Sequence, residues 1–190
     1  MSLPQTPSQT IGPFFKPSLV RSADHTLARN ESRGERIVIV GRVLDGDGAP
    51  VDDAMVEIWQ ANADGRYDHP DDLQEKLIDP YFHGFGRAAT DQHGSFRFDS
   101  IKPGPASGLG DALQAPHINV SIFARGLLKR LVTRIYFPDE SLNATDAILN
   151  AVPSARRSTL IARAESISPQ PTFRFEIVLQ GENETVFFDV

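Results

Sequence analysis

Short runs that are β-branched or that alternate between apolar and polar residues recur throughout the sequence after residue 36. These runs are rich in Val, Ile and Phe, and they lie at 37–44, 54–60, 95–99, 117–123, 131–137, 173–179 and 185–190. A period of two places every second side chain on the same face, so each run is predicted to be a β-strand. Many short strands with few helical segments predict an all-β fold, a β-sandwich.

The segments between the predicted strands contain turn and helix signals. The acidic, glycine-rich stretch Asp45–Gly48 follows the first run, so the first two strands are predicted to form a β-hairpin or a close relative of one. Residues 68–90 are predicted to be a long loop. Residues 139–150 and 154–164 are predicted to form short helices on the outside of the sheets.

The N-terminal segment has a different composition from the rest of the chain. It contains Pro4, Pro7, Pro13 and Pro17, which predict an extended arm because proline disfavours a regular helix. The apolar and aromatic residues of 10–15 favour an arm that is ordered and packs on this or another subunit. We expect one domain over residues 1–190, with an arm and loop at 1–35 and the sandwich at 36–190.

Composition and charge exclude several functional classes. The 190 residues are 40% hydrophobic and include 12 Phe, which suffices for the core of one domain. Cysteine is absent, which excludes disulfides and thiolate chemistry and fits a reducing compartment. The charge of −6 without a Lys/Arg cluster argues against nucleic-acid partners and anionic membranes. The N-terminus lacks signal-peptide features and no run has transmembrane length, so a cytoplasmic location is expected.

The strand at 117–123 carries the candidate chemistry. Its alternation places His117 and Asn119 on one face. Tyr67 follows an Asp-Gly turn, and its spacing alone favours a boundary aromatic residue with its hydroxyl group in water. Phenolate and imidazole both bind ferric iron, but two ligands are too few for a site. The loop histidines lack the spacing of a local metal motif, and no serine-hydrolase or phosphate-binding motif occurs.

Several segments resemble the intradiol ring-cleaving dioxygenases. The resemblance is carried by GRVLDGDGAPVDDAMVEIWQANADGRYDHP, DPYFHGFGRAATDQHGSFRFDSIKPG, APHINVSIFARG, LVTRIYF, TPSQTIGPFF and ETVFFDV. It covers nearly the whole chain and is greatest to the alpha chain of those members that consist of two homologous chains. It implies a sandwich of the immunoglobulin or transthyretin-like kind with long loops, short helices and an extended N-terminal arm.

The resemblance also implies that this chain has a vestigial iron site. Iron-bearing chains of the family hold Fe(III) with two tyrosines and two histidines, and Tyr67 and His117 match the first of each. Ala106 and Asn119 stand at the other two ligand positions, and Gln114 stands where the beta chain has an active-site arginine. Because alanine cannot bind iron and an amide is a poor substitute for imidazole, the resemblance implies that the partner beta chain holds the metal.

The implied contribution of this chain is to substrate binding at the interface with the beta chain. By the resemblance, Thr10, Gly12 and Pro13 line the substrate pocket of the partner, and Arg125 supplies positive charge for the substrate carboxylate. On the residues alone, Arg125 is interpreted as an ordinary surface or interface ion pair. The implied reaction opens 3,4-dihydroxybenzoate with O2 to 3-carboxy-cis,cis-muconate in a higher hetero-oligomer.

Two alternative functions remain open at this point. The first is an autonomous enzyme that binds a metal through Tyr67, His117, Asn119 and a loop histidine. The second is a non-enzymatic binding module, because the pattern from Gly41 to Val51 also occurs in transthyretin-like sandwiches.

Overall fold

The fold consists of two four-stranded sheets that pack face to face. It was obtained as a computed structural model, which describes residues 12–108, 110, 112–166 and 170–189. The strands are β1 (Arg36–Leu44), β2 (Met55–Gln60), β3 (Phe85–Ala89), β4 (Ser95–Ile101), β5 (Ala106–Ser107), β6 (Leu113–Gln114), β7 (His117–Phe123), β8 (Leu131–Tyr136), β9 (Arg163–Ser166) and β10 (Thr172–Val178). The first sheet has the order β4-β1-β10-β9 and the second has the order β3-β2-β7-β8, while β5 and β6 form a separate pair.

Alternation along the strands builds the core between the two sheets. The inward residues of β1, Ile37, Ile39 and Val43, are completely buried and face the other sheet, to which β7 contributes Ile118 and Ile122. Burying such β-branched side chains removes apolar surface from water and is the main force that holds the sheets together. The predicted β-sandwich is confirmed.

The predicted hairpin between the first two strands is wrong, because β1 and β2 belong to different sheets. The chain does turn at 45–48 and comes back, but Leu44 and Pro50 form only an isolated bridge. Pro50 has no N–H group with which to continue the ladder. After the hydrogen bond from Val51 N–H to Val43 O, the turn at 52–53 leads to the second sheet.

Four further segments differ from prediction. The predicted loop at 68–90 contains strand β3, which pairs with β2. The predicted terminal strand makes only the isolated bridge of Phe188 with Val132, and residue 190 lies outside the described residues. The predicted helix at 139–150 is a 3₁₀ turn, Ser141–Ala144, followed by helix α2, Ala147–Ala151. The side chain of Asp146 caps the N-terminus of α2 by accepting a hydrogen bond from the backbone N–H of Leu149. The predicted helix at 154–164 is a second 3₁₀ segment, Ser154–Leu160, and strand β9 begins at Arg163.

Part of the predicted extended arm is helical instead. Helix α1 spans Gly12–Leu19 and contains Pro17. Pro13 lies in the first turn, where backbone N–H groups have no acceptor within the helix, and in such a short helix Pro17 removes few hydrogen bonds. The described part of the arm packs on the sheet, as predicted, since the rings of Phe15 and Phe123 lie edge to face at 5.1 Å. Thr10 lies outside the described residues.

Candidate functional site

One face of the second sheet carries the candidate residues at its two ends. His117 and Asn119 lie on the outer face of β7, as predicted, while Ile118 and Val120 point into the core. Phe123 lies on the same outer face at the other end of the strand, under helix α1. Six residue steps of a β-strand separate His117 from Phe123, which is about 20 Å.

A turn after β2 carries Tyr67 over this face. The side-chain oxygen of Asn62 accepts the N–H groups of Asp64 and Arg66, each at 3.0 Å. Gly65 adopts φ +82°, a conformation that glycine tolerates without strain. The Asp72 carboxylate accepts the N–H of Tyr67 at 2.7 Å, so the backbone of the tyrosine is held from both sides.

Tyr67, His117 and Asn119 form one hydrogen-bonded group. The Nδ1 atom of His117 lies 2.8 Å from the carbonyl oxygen of Ala115 and therefore carries the proton, which leaves Nε2 as an acceptor. Tyr67 Oη donates to this Nε2 at 3.3 Å and accepts from Asn119 Nδ2 at 3.3 Å. The ring of Tyr67 stacks on Trp59 with centroids 5.6 Å apart. Tyr67 is partly buried, as expected for a boundary residue, but the prediction that its hydroxyl group lies in water is wrong, because this group is hydrogen-bonded to His117 and Asn119.

Burial keeps both titratable members of this group neutral. His117 is 2% exposed, and its burial, together with the positive charge of Arg134, lowers its pKa to about 4. Burial also raises the pKa of Tyr67. Removing an ionisable group from water disfavours its charged form, so at neutral pH the pair is an imidazole and a phenol.

These residues do not fit a ferric ion. Iron would require a phenolate and a free imidazole nitrogen, whereas Tyr67 and His117 hydrogen-bond to each other. Asn119 directs its amide nitrogen, a donor, at Tyr67, and buried Ala106 offers no side-chain ligand. Among the described residues, no group of three or more His, Asp or Glu side chains is arranged to hold a metal.

An arginine that was not predicted lies beside the group. Arg134 of β8 is directly opposite Asn119, and its Nη1 donates to Gln114 Oε1 at 2.7 Å and to Tyr136 Oη at 3.4 Å. Tyr136 in turn donates to buried Asp146 at 3.1 Å. A charged residue within the apolar run LVTRIYF was the sequence signal that could have identified Arg134.

The loop histidines lie on the surface, as predicted. His83 Nδ1 is 2.7 Å from an oxygen of Asp68, and His69 Nδ1 is 3.7 Å from one of Asp71. The side chains of both histidines are more than half exposed. Their partners are these acidic residues, and neither histidine is hydrogen-bonded to Tyr67 or His117.

The other end of the sheet face brings Arg125 close to helix α1. Arg125 Nη1 lies 2.9 Å from Asp52 Oδ1 and 3.5 Å from Asp53 Oδ1, and the arginine side chain is 55% exposed. The hydrogen bond from Arg125 lowers the pKa of Asp52. Lys16 of α1 donates to the carbonyl oxygen of Asp52 at 2.6 Å. The interpretation of Arg125 as a surface ion pair is confirmed, and its implied pocket role stays a prediction.

Comparison with known proteins identifies the family. The family model described as "Dioxygenase" matches residues 11–181. The alpha chain of protocatechuate 3,4-dioxygenase from Burkholderia cepacia is 41% identical and aligns with 100% of this chain and 99% of its own length. The beta chain from the same organism is 43% identical over 85% of this chain and 74% of its own length.

No helix among the described residues is long and apolar enough to cross a membrane. Solved structures agree with the family assignment. The dioxygenase domain of a carbohydrate-binding fusion protein from Streptomyces sp. SirexAA-E is 28% identical. It superimposes with a TM-score of 0.64 over 93% of this chain and 99% of that domain. The chain therefore belongs to the intradiol ring-cleaving dioxygenase family.

Proposed function

We propose that the chain is the alpha subunit of a protocatechuate 3,4-dioxygenase and works with a homologous, iron-bearing beta chain. The pair opens 3,4-dihydroxybenzoate with O2 to 3-carboxy-cis,cis-muconate, and several pairs form a higher hetero-oligomer. The sequence identity of 41% with the alpha chain from Burkholderia cepacia, over 100% of this chain, supports this assignment. A cytoplasmic location fits the absence of cysteine.

The observation that carries the proposal is the closed hydrogen-bonded group at the former ligand positions. Tyr67 and His117 satisfy each other, and Asn119 satisfies the tyrosine oxygen. A metal would have to break these bonds and would still find only two of its usual ligands, since Ala106 has no donor atom. The Fe(III) of the reaction is therefore assigned to the beta chain.

The contribution of this chain lies at the other end of the same sheet face. Gly12 and Pro13 belong to the first turn of α1, and α1 contacts the turn that also binds Arg125. We assign these three residues, with Thr10, to the substrate pocket of the beta chain. Arg125 can bind a carboxylate through Nε and Nη2, because its bonds among the described residues use Nη1.

Metal analysis of the separated and combined chains tests the assignment. The chain should be produced alone and together with its beta chain, and iron should be measured per polypeptide along with O2 uptake on 3,4-dihydroxybenzoate. We expect one iron per heterodimer, none in this chain alone, and activity only in the complex. Stoichiometric iron in the isolated chain, with the visible absorption of an iron tyrosinate, would overturn the proposal.

A further inference from the structure

The turn at Asp52 and Asp53 joins the two parts of the proposed substrate-facing surface. The Asp52 carboxylate accepts a hydrogen bond from Arg125 Nη1 at 2.9 Å. The backbone carbonyl of the same residue accepts one from Lys16 Nζ at 2.6 Å. One residue thus contacts Arg125 with its side chain and helix α1 with its backbone.

We propose that Asp52 is a positioning residue for binding of the aromatic carboxylate substrate. Asp52 holds Arg125 and helix α1 together as one preformed surface. The inference rests on the proposed function, since it concerns the same substrate and the same arginine. Asp52 does not contact the substrate in this proposal and acts through Arg125.

The geometry of the ion pair leaves Nε and Nη2 of the Arg125 guanidinium group available for a substrate carboxylate. Asp52 and Asp53 both lie next to Nη1, at 2.9 and 3.5 Å. A carboxylate that binds arginine with two parallel hydrogen bonds can use Nε and Nη2 instead. An arginine that is half exposed would otherwise sample many rotamers, and fixing it before binding reduces the entropy lost when the substrate arrives.

Lys16 fixes the helix to the same turn. Its Nζ also donates to the carbonyl oxygen of Thr90 at 2.6 Å, so it links α1 both to the turn before β2 and to the end of β3. The edge-to-face contact of Phe15 with Phe123 supports the helix from the sheet. The first turn of α1 and the guanidinium group are therefore held relative to each other through one short stretch of backbone.

The opposite role for Asp52 predicts the opposite result. If the carboxylate competed with the substrate for Arg125, its removal would release the arginine and lower the KM. If it positions the arginine, its removal raises the KM. The sign of the change distinguishes the two roles.

The experiment uses the complex of this chain with its beta chain and steady-state O2 uptake. For Asp52→Ala we expect the KM for 3,4-dihydroxybenzoate to rise about two- to fivefold, the range that corresponds to losing an exposed ion pair. The kcat and the iron content should stay unchanged, and the KM for catechol, which has no carboxylate, should not move. Asp47→Ala removes an exposed aspartate from the neighbouring turn and is the matched control.

A double-mutant cycle tests whether Asp52 acts through the arginine. Arg125→Ala alone should raise the KM for 3,4-dihydroxybenzoate more than Asp52→Ala does, roughly tenfold or more, because a hydrogen-bonded charge is lost. Adding Asp52→Ala to Arg125→Ala should have no further effect. Lys16→Met should instead raise the KM for both substrates, since it displaces the helix and leaves the arginine in place.

An unchanged or lowered KM in Asp52→Ala overturns the inference, and so does a further rise in the double mutant. If Asp52→Ala does not fold, Asp52→Asn keeps the size and the backbone carbonyl, and its KM should rise in the same direction. Failure of the proposed function has a separate signature. In that case the unmodified complex does not turn over 3,4-dihydroxybenzoate, or iron is found in this chain.

Discussion

The neutral state of His117 predicts that acid destabilises the protein in a defined pH range. In the folded chain the pKa of His117 is lowered to about 4, against an ordinary value of 6.5. The unfolded chain therefore binds a proton between these values while the folded chain does not. The contribution of His117 to the free energy of unfolding is therefore fully present above pH 6.5 and is lost as the pH falls toward 4.

The magnitude follows from the pKa difference. The difference between a pKa of 6.5 and one of about 4 is worth about 3 kcal/mol when the pH has fallen below both values. Between pH 7.5 and pH 5 the same two pKa values give a loss of about 2 kcal/mol in the free energy of unfolding. Urea unfolding at the two pH values measures this loss. Trp59 is the single tryptophan of the chain and stacks on Tyr67, so its fluorescence reports unfolding next to the group.

His117→Gln isolates the contribution of this residue. An amide oxygen can accept the Tyr67 hydroxyl and does not titrate, so the variant should lose about 2 kcal/mol less than the unmodified chain between pH 7.5 and pH 5. His69→Gln changes an exposed histidine and should keep the original pH dependence. If His117→Gln loses as much stability as the unmodified chain, the argument that His117 is buried in its neutral form is refuted.

Two further substitutions test the support of the same group. Tyr67→Phe keeps the stacked ring but leaves the buried Nε2 of His117 without a donor, and it should lower the free energy of unfolding by about 1–3 kcal/mol in urea titrations at pH 7.5. A loss below about 0.5 kcal/mol would contradict this. Gly65→Ala places a Cβ 1.9 Å from the carbonyl oxygen of Pro105 and should cost several kcal/mol. Gly48→Ala, at φ +77° with no atom within 4 Å, should cost only about 1 kcal/mol; equal losses would contradict the steric argument.

The strands could be predicted from the sequence, but their partners could not. The β-branched composition of β1 and the period of two of β7 located these strands within one or two residues, because both are local properties of the sequence. The assignment of β1 and β2 to a hairpin failed, because pairing depends on residues far away in the chain. Strand β1 pairs with β10, where Val38 lies opposite Thr172. Strand β3 was missed because Gly86, Ala88 and Ala89 have low β-propensity.

In the candidate site, too, the local sequence predicted some features, and others required the folded structure. Alternation alone placed His117 and Asn119 on one face, and the resemblance identified Tyr67 as their counterpart. The position of Arg134 opposite Asn119 depends on strand register, and the stacking of Tyr67 on Trp59 depends on the path of the turn after β2, so only the folded chain shows them. The prediction of a hydrated Tyr67 hydroxyl group failed for a similar reason, because the partners of this group, His117 and Asn119, lie on a strand far away in the chain.

The sequence by itself determined the strand faces and the absence of thiol chemistry, because each depends on residue identity or on a local period. The tertiary structure decided which residues meet at each end of the sheet face. It placed Tyr67 and His117 in mutual contact at one end, and it brought Arg125 to Asp52, 73 residues away in the chain, at the other. Both contacts arise because β2 pairs with β7 in one sheet, and a pairing between strands so far apart in the chain is not contained in any local pattern.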